Sequence, residues 1–242
     1  RQMCIRDRIN TEPDITKARE SLSEEGFYSF KLTREERVSF AAVLMICSDD
    51  YITLSEIADQ LFVSRSTVIQ DLEHIKTFCR ERHLYVLSHS NKGLLLEGRE
   101  IDKRNLLIDM IQSGSSIFKV EPIFQHLTQC LSKNLKIDLE DISMIEKIIN
   151  EAEHIYGRFL TDRSFTQLRN YFQLSLYRLR KSHYVEYGGE KNSKWEMAKG
   201  MIDQIQQFIV KEIPDTEVYY IADVLNRMKS VSYTHLRAHE TL

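Results

Sequence analysis

The sequence predicts a mainly α protein: a winged helix-turn-helix domain with a small β-hairpin, followed by an all-α helical bundle. Three observations carry this. Gly (eight) and Pro (three) are scarce in 242 residues, about half the usual share, so few turns interrupt the chain. Apolar residues fall at helical spacing over most of the sequence, and only near residues 84–97 does the period change from 3.6 to 2. Two capping boxes, Thr33 with Glu36 and Thr53 with Glu56, fix two helix starts locally.

The elements follow in order. Lys17 to Gly26 reads as a short polar helix, and Phe27–Phe30 as a strand left over from a preceding, truncated domain. Thr33 caps a helix running to about Cys47, with Val38, Ala41, Ala42, Met45 and Ile46 at helical spacing. Thr53 opens a second through Phe62, carrying Leu54, Ile57, Ala58 and Leu61 on one face. Val63-Ser64 makes a tight turn. Ser64 then caps a third helix, Arg65 to about Arg82, burying Val68, Leu72, Ile75 and Cys79. Leu84–Ser88 and Leu94–Glu97 alternate as strands, joined by His89-Ser90-Asn91-Lys92-Gly93, where Asn and Gly tolerate positive φ. From Ile101 onward only helices are expected, over 101–112, 122–131, 139–156, 162–180, 194–211 and 215–229. Ser113–Ser116 is the best linker and Tyr187–Ser193 the best long loop. The domains are therefore residues 33–112 (winged helix-turn-helix) and 117–230 (helical), after an N-terminal remnant at 1–32.

Both ends are set aside. The opening RQMCIRDR (1–8) and the closing stretch at 231–242 resemble translated sequencing-adapter sequence, so the native part is expected at about Ile9 to Ser230 of a longer protein. Cys4, His235 and His239 drop out with them.

Composition removes several classes. Hydrophobic residues at 42% and charged residues at 29% describe a folded chain. A net charge of −3 excludes a generally basic nucleic-acid coat. The longest apolar run, Phe40 to Cys47, is far short of the roughly 20 residues a membrane helix needs. The four cysteines have neither metal-ligand nor redox spacing, and read as buried hydrophobes of a reducing, cytoplasmic compartment. No catalytic constellation, cofactor motif or metal site stands out: GGEKNS lacks the Gly-Lys-Ser/Thr ending of a phosphate loop. An enzyme is not expected.

Helix, short helix, turn, long helix and hairpin is the order of a DNA-reading module, whose last helix enters the major groove with its N-terminal side chains. Those are Arg65, Ser66, Thr67 and Gln70, with His74 one turn on. Arg65 can pair with guanine or hold a phosphate, and Gln70 suits adenine. Ser64 and Ser66 suit a phosphate oxygen, and the hairpin tip, Asn91-Lys92, a neighbouring backbone or minor groove. Residues 51–99 hold six basic and six acidic side chains. So neutral a module makes few phosphate contacts, and tight binding to double-stranded DNA would need a homodimer, expected through 117–229.

The segment ITLSEIADQLFVSRSTVIQDLEHIK resembles the second helix-turn-helix of the BglG/MtlR-type regulators, bacterial proteins coupled to the sugar phosphotransferase system. GLLLEGREIDKRNLL is similar too: the family's wing leads into a Gly-x-Glu-x-x-x-Arg segment, matched by Gly98, Glu100 and Arg104. LTDRSFTQLRNYFQLSLYRLRKSHYVEY and IPDTEVYYIADVL resemble the two halves of one phosphotransferase-system regulation domain (PRD). The resemblance covers about residues 33–229. It implies a DNA-binding regulator of carbohydrate genes, an activator, with phosphotransferase-system proteins as partners. In the family, regulation-domain histidines accept phosphate and so shift dimer packing. The position where such a histidine is often found is Tyr171 here, and no His lies between His183 and His235. No regulatory phosphosite is intact, and His154 and His183 read as helix-surface or helix-end residues.

Rival readings are a Mga-type global or virulence regulator without sugar control, a winged helix docking a protein partner, and an RNA-binding antiterminator, for which nothing before Thr33 offers the β-rich domain. Arg158, Arg163, Arg169, Arg178, Arg180 and Lys181 make a basic run that a solvated helix face largely explains. The aromatic residues Tyr171, Phe172, Tyr177, Trp195, Tyr219 and Tyr220 read as helix packing.

Overall fold

Each capping box closes as its spacing requires. The Thr33 amide donates to Glu36 Oε2 at 2.7 Å and the Glu36 amide to Thr33 Oγ1 at 3.3 Å; Thr53 and Glu56 repeat the exchange at 2.7 and 3.1 Å. They start α1 (Arg34–Cys47) and α2 (Leu54–Gln60), and Ser64 starts α3 (Arg65–Arg80). The structure, a computed structural model, describes residues 32–48, 50–112 and 139–231. The helices expected at 17–26 and 122–131, the strand at 27–30 and the linker at 113–116 lie outside these.

Helix α1 is buried on every side from Val38 to Cys47, the pattern of a helix enclosed by its domain. Helices α2 and α3 and the hairpin β1 (Tyr85–His89) and β2 (Gly93–Glu97) wrap it, giving a core that includes Phe40, Ile57, Val68, Ile75, Leu84 and Leu96. Burying one such side chain contributes about 1.5–3 kcal/mol. In the antiparallel hairpin Val86 faces Leu96 and His89 faces Gly93. Its root is clamped to the body, because Ile52 and Leu94 exchange backbone hydrogen bonds at 2.9 and 2.8 Å. Gly93, at φ +113°, permits that approach: a Cβ there would stand 2.4 Å from the Ile52 carbonyl oxygen.

Helix α4 (Glu100–Gln112) joins two cores. Leu106, Leu107 and Met110 belong to the first, while Ile101 and Ile108 pack against the second. That second core is built by α5 (Leu139–Tyr156), α6 (Asp162–Arg180), α7 (Trp195–Gln206) and α8 (Asp215–Arg227). Leu174 and Tyr177 of α6 reach back into the first core.

Three expectations need correction. The region after Ile101 is not purely helical: β3 (Phe159–Leu160) pairs antiparallel with β4 (Ser230–Val231). Two-residue strands carry no periodicity to read. Val231, counted above with the closing tail, is thus part of this ladder. The last two helices also stop early, at Gln206 and Arg227. Gln206 itself ends the first of these, its amide donating to the Ile209 and Lys211 carbonyls and accepting from the Ile213 amide. Among the described residues no helix is long and apolar enough to cross a membrane.

Candidate functional site

The turn from α2 into α3 decides how α3 is presented. The Val63 amide bonds the Ala58 carbonyl and the Phe62 amide that of Asp59, at 3.0 and 3.3 Å. This is a Schellman stop, with Phe62 at φ +53° where glycine is usual. Ser64 Oγ accepts from the Thr67 amide at 3.1 Å and lies 2.6 Å from Ser66 Oγ and 2.8 Å from Thr67 Oγ1. The three hydroxyls thus form one capping cluster.

From that cap, α3 turns two faces in opposite directions. Val68, Asp71, Ile75 and Cys79 are buried; burial pushes the Cys79 thiol up to about 12, an inert group. Ser66, Ile69, Gln70, Glu73, His74 and Thr77 form an exposed stripe with Arg65 at its head. Every predicted contact residue is accessible: Ser64, Arg65, Ser66, Gln70, His74, Asn91 and Lys92 are exposed, and Thr67 is half-buried beneath its cap. Arg65 has no carboxylate partner among the described residues. At the hairpin tip, Asn91 sits at φ +66°, and Lys92 Nζ lies 5.3 Å from the Tyr51 ring centroid.

A buried carboxylate locks this face outward. Asp71, next after Gln70 but on the buried face, takes Arg37 Nε at 2.6 Å and Nη2 at 3.2 Å, with Arg34 Nε 3.3 Å away. The α1–α3 angle is pinned by charge as well as by packing. Asp71, Arg34 and Arg37 were not expected as contributors, and only an acid on an otherwise apolar helix face signals them.

The second cluster lies between the cores. Arg178 grips Glu100 with two hydrogen bonds of 2.8 and 2.7 Å and donates a third to the Ile46 carbonyl at 3.0 Å. Arg104 grips Glu217 at 2.8 and 2.9 Å, and also reaches Glu100, the Tyr171 hydroxyl, Ser175 and the His183 carbonyl. Glu217 accepts the Val185 amide as well. Two cations and two anions are buried, Glu100 alone keeping 9% exposure, each with hydrogen-bonded partners. Burial raises the Glu100 pKa, but the two guanidiniums lower it further, so the carboxyl lies below its ordinary value. Burial lowers the Arg104 pKa and its partners more than reverse this.

Tyr171 belongs to this cluster. It is 1% exposed, with Arg104 donating to its oxygen at 3.2 Å, and burial pushes its phenol well above the usual tyrosine range. Arg178 is a correction to the solvated basic run: it is 1% exposed. Arg169 and Arg180 pair with Glu146 and Asp141, leaving Arg158 and Arg163 as the run's exposed arginines without an ion pair among the described residues. His154 is exposed beside Phe159, as expected of a helix-end residue.

Comparison with known proteins settles what this pair of domains is. The Mga helix-turn-helix domain family matches residues 29–109 and the PRD domain family residues 146–228. The chain thus carries a Mga-type helix-turn-helix domain followed by a PRD domain. Among relatives of this chain is the protein named "Probable licABCH operon regulator" of Bacillus subtilis (strain 168), 21% identical over 77% of the chain. Another is "Transcriptional regulator ManR" of the same organism, 20% identical over 87%. The chain spans 29% and 32% of their respective lengths. Glu100 and Arg104 of the Gly-x-Glu-x-x-x-Arg segment, through Arg178 and Glu217, are groups that tie the helix-turn-helix domain to the PRD domain.

Proposed function

We propose that this chain works as a cytoplasmic, DNA-binding transcriptional regulator of carbohydrate uptake or utilisation genes, as an activator and a homodimer, and that it is not an enzyme. The observation that carries the reading is the outward stripe of α3, capped by Ser64 and braced by Asp71. Arg65 is placed to take guanine or a phosphate, Gln70 to take adenine, and His74 to extend the contact by a turn. Ile69 can meet a thymine methyl, and Asn91 and Lys92 the flanking backbone. The operon and regulator names of the relatives support gene control, and the PRD domain supports a link to phosphotransferase-system proteins.

The module's even charge balance makes few phosphate contacts, so specificity rests on base edges and on a second copy. The test is selection of bound duplexes from upstream DNA of sugar-transport genes, followed by polarisation titrations of the enriched site. Enrichment of a two-fold symmetric site, with Arg65→Ala plus Gln70→Ala weakening it, is expected. A pool without enrichment would contradict the reading.

A second reading, a Mga-type regulator without sugar control, is favoured by one observation: the residue where a phosphorylatable histidine is often found is Tyr171, whose hydroxyl accepts from buried Arg104. Addition of phosphorylated phosphocarrier protein would leave DNA affinity unchanged under that reading.

A further inference from the structure

At the mouth between α4, α6 and α8 lies a cavity of about 470 Å³, within the size range of small-molecule sites. Three of its lining side chains are cations, Arg163, Arg227 and Lys229, and none is a carboxylate. Three like charges around one concavity repel each other. Asp223, one turn before Arg227, has its two oxygens occupied by Tyr187 and Asn192. Among the described residues Arg227 uses only its Nε, on the Asp223 carbonyl at 3.2 Å. Arg163 stands in the first turn of α6, where the helix dipole disfavours a positive side chain. Lys229 is held close by, its carbonyl accepting from the Thr161 amide at 3.3 Å. No carboxylate among the described residues pairs with any of the three. Such an arrangement fits an anion better than it fits water.

The rest of the lining is too large and too varied for an inorganic ion alone. Tyr220 donates to Asn105 Oδ1 at 3.0 Å, which leaves the Asn105 amide donors facing no partner among the described residues. Tyr171 and Tyr220 supply buried aromatic surface on the inner side. Cations and an amide on the exposed side and aromatic faces within are the groups that hold a phosphate, hydroxyls and C–H faces respectively. We propose that this cavity binds a phosphorylated small polyol, a sugar phosphate, non-covalently. The assignment holds whatever the winged helix binds. Tyr171 lines the cavity and also accepts from Arg104, so an occupant would touch the cluster between the cores.

Titration calorimetry on the full chain, without DNA and at fixed ionic strength, tests this with glucose 6-phosphate, inorganic phosphate and glucose. Saturable binding of glucose 6-phosphate is expected, with weaker competition by phosphate and no heat from glucose. Arg163→Gln and Arg227→Gln together should weaken it about tenfold or more. Both arginines are exposed, and a circular-dichroism melt checks that the variant folds; Lys229→Glu provides an independent second variant. The site would be overturned by no saturable heat, or by equal affinity in both variants. Inorganic phosphate binding as tightly as glucose 6-phosphate would remove the sugar from the assignment.

Discussion

Arg178, on the sixth helix, donates to the carbonyl of Ile46 at the end of the first, 3.0 Å away. One guanidinium thereby joins the PRD domain to the last turn of the helix around which the helix-turn-helix domain is built. Its other two hydrogen bonds hold Glu100, which Arg104 shares. Glu217 of α8 is thus linked through Arg104, Glu100 and Arg178 to the end of α1. Near its start, α1 pairs Arg37 with Asp71 of α3.

Removing Arg178 should be severe. Arg178→Ala leaves Glu100 buried with one partner fewer and the Ile46 carbonyl unmet, a loss of about 3–5 kcal/mol. Urea denaturation of Arg178→Ala, and of Arg178→Met combined with Glu100→Gln, checks it. The double change should be less damaging than the single one, because no unpaired charge remains. Equal stability of Arg178→Ala and wild type would contradict the buried pairing.

Glu100 also predicts a pH dependence. Its folded pKa lies below the unfolded value, so the folded state favours the ionised form. Its contribution is fully present above the unfolded carboxylate value of about 4.3 and is lost as pH falls through the folded value. Thermal melts of wild type and Glu100→Gln from pH 7 down to 3 should converge at the acid end. A stability gap that widens on acidification would have the wrong sign.

The cap separates folding from DNA contact. Ser64→Ala should destabilise by about 1 kcal/mol. Ser64→Asp keeps an acceptor for the Thr67 amide and suits the helix dipole, so its melting temperature should match or exceed that of wild type. The same aspartate would face phosphate and weaken DNA binding. Melts and polarisation titrations on the two variants check this, and unchanged DNA affinity in Ser64→Asp would place the cap away from the duplex.

Asp71 tests whether the recognition helix needs its brace. Asp71→Asn keeps the shape but not the charge that holds Arg37 and Arg34. It should weaken stability by about 1–3 kcal/mol and lower DNA affinity without touching DNA. Hydrogen exchange along α1 and α3 should rise in this variant, and unaltered exchange would assign the orientation of α3 to packing alone.

Local features were legible in the sequence and distant ones were not. Thr33 with Glu36, Thr53 with Glu56 and the Ser64 cap lie within one helical turn, so spacing alone fixes them, and the wing follows from alternation beside Gly93. The β3–β4 ladder pairs residues far apart over two positions each, too short to show a period. Arg178 stood in a basic run beside Arg180 and Lys181, and nothing nearby marks it as internal, since Glu100 lies 78 residues away. A signal did exist at the other end of the pair. Glu100 and Arg104, four apart on one helix and flanked by Leu106 and Leu107, are a charged patch that helix needed to bury. The cavity cations Arg163, Arg227 and Lys229 come from two segments whose meeting depends on that same ladder.

Entry of the first turn of α3 into a duplex groove is tested most directly by the salt dependence of affinity for a selected site, compared between wild type, Arg65→Ala and Gln70→Ala. Arg65→Ala should lose about tenfold in affinity or more and, where Arg65 holds phosphate, flatten the log–log salt slope by about 1. Gln70→Ala should lose discrimination at one base pair with the slope kept. Affinity and slope unchanged in both variants would contradict the claim.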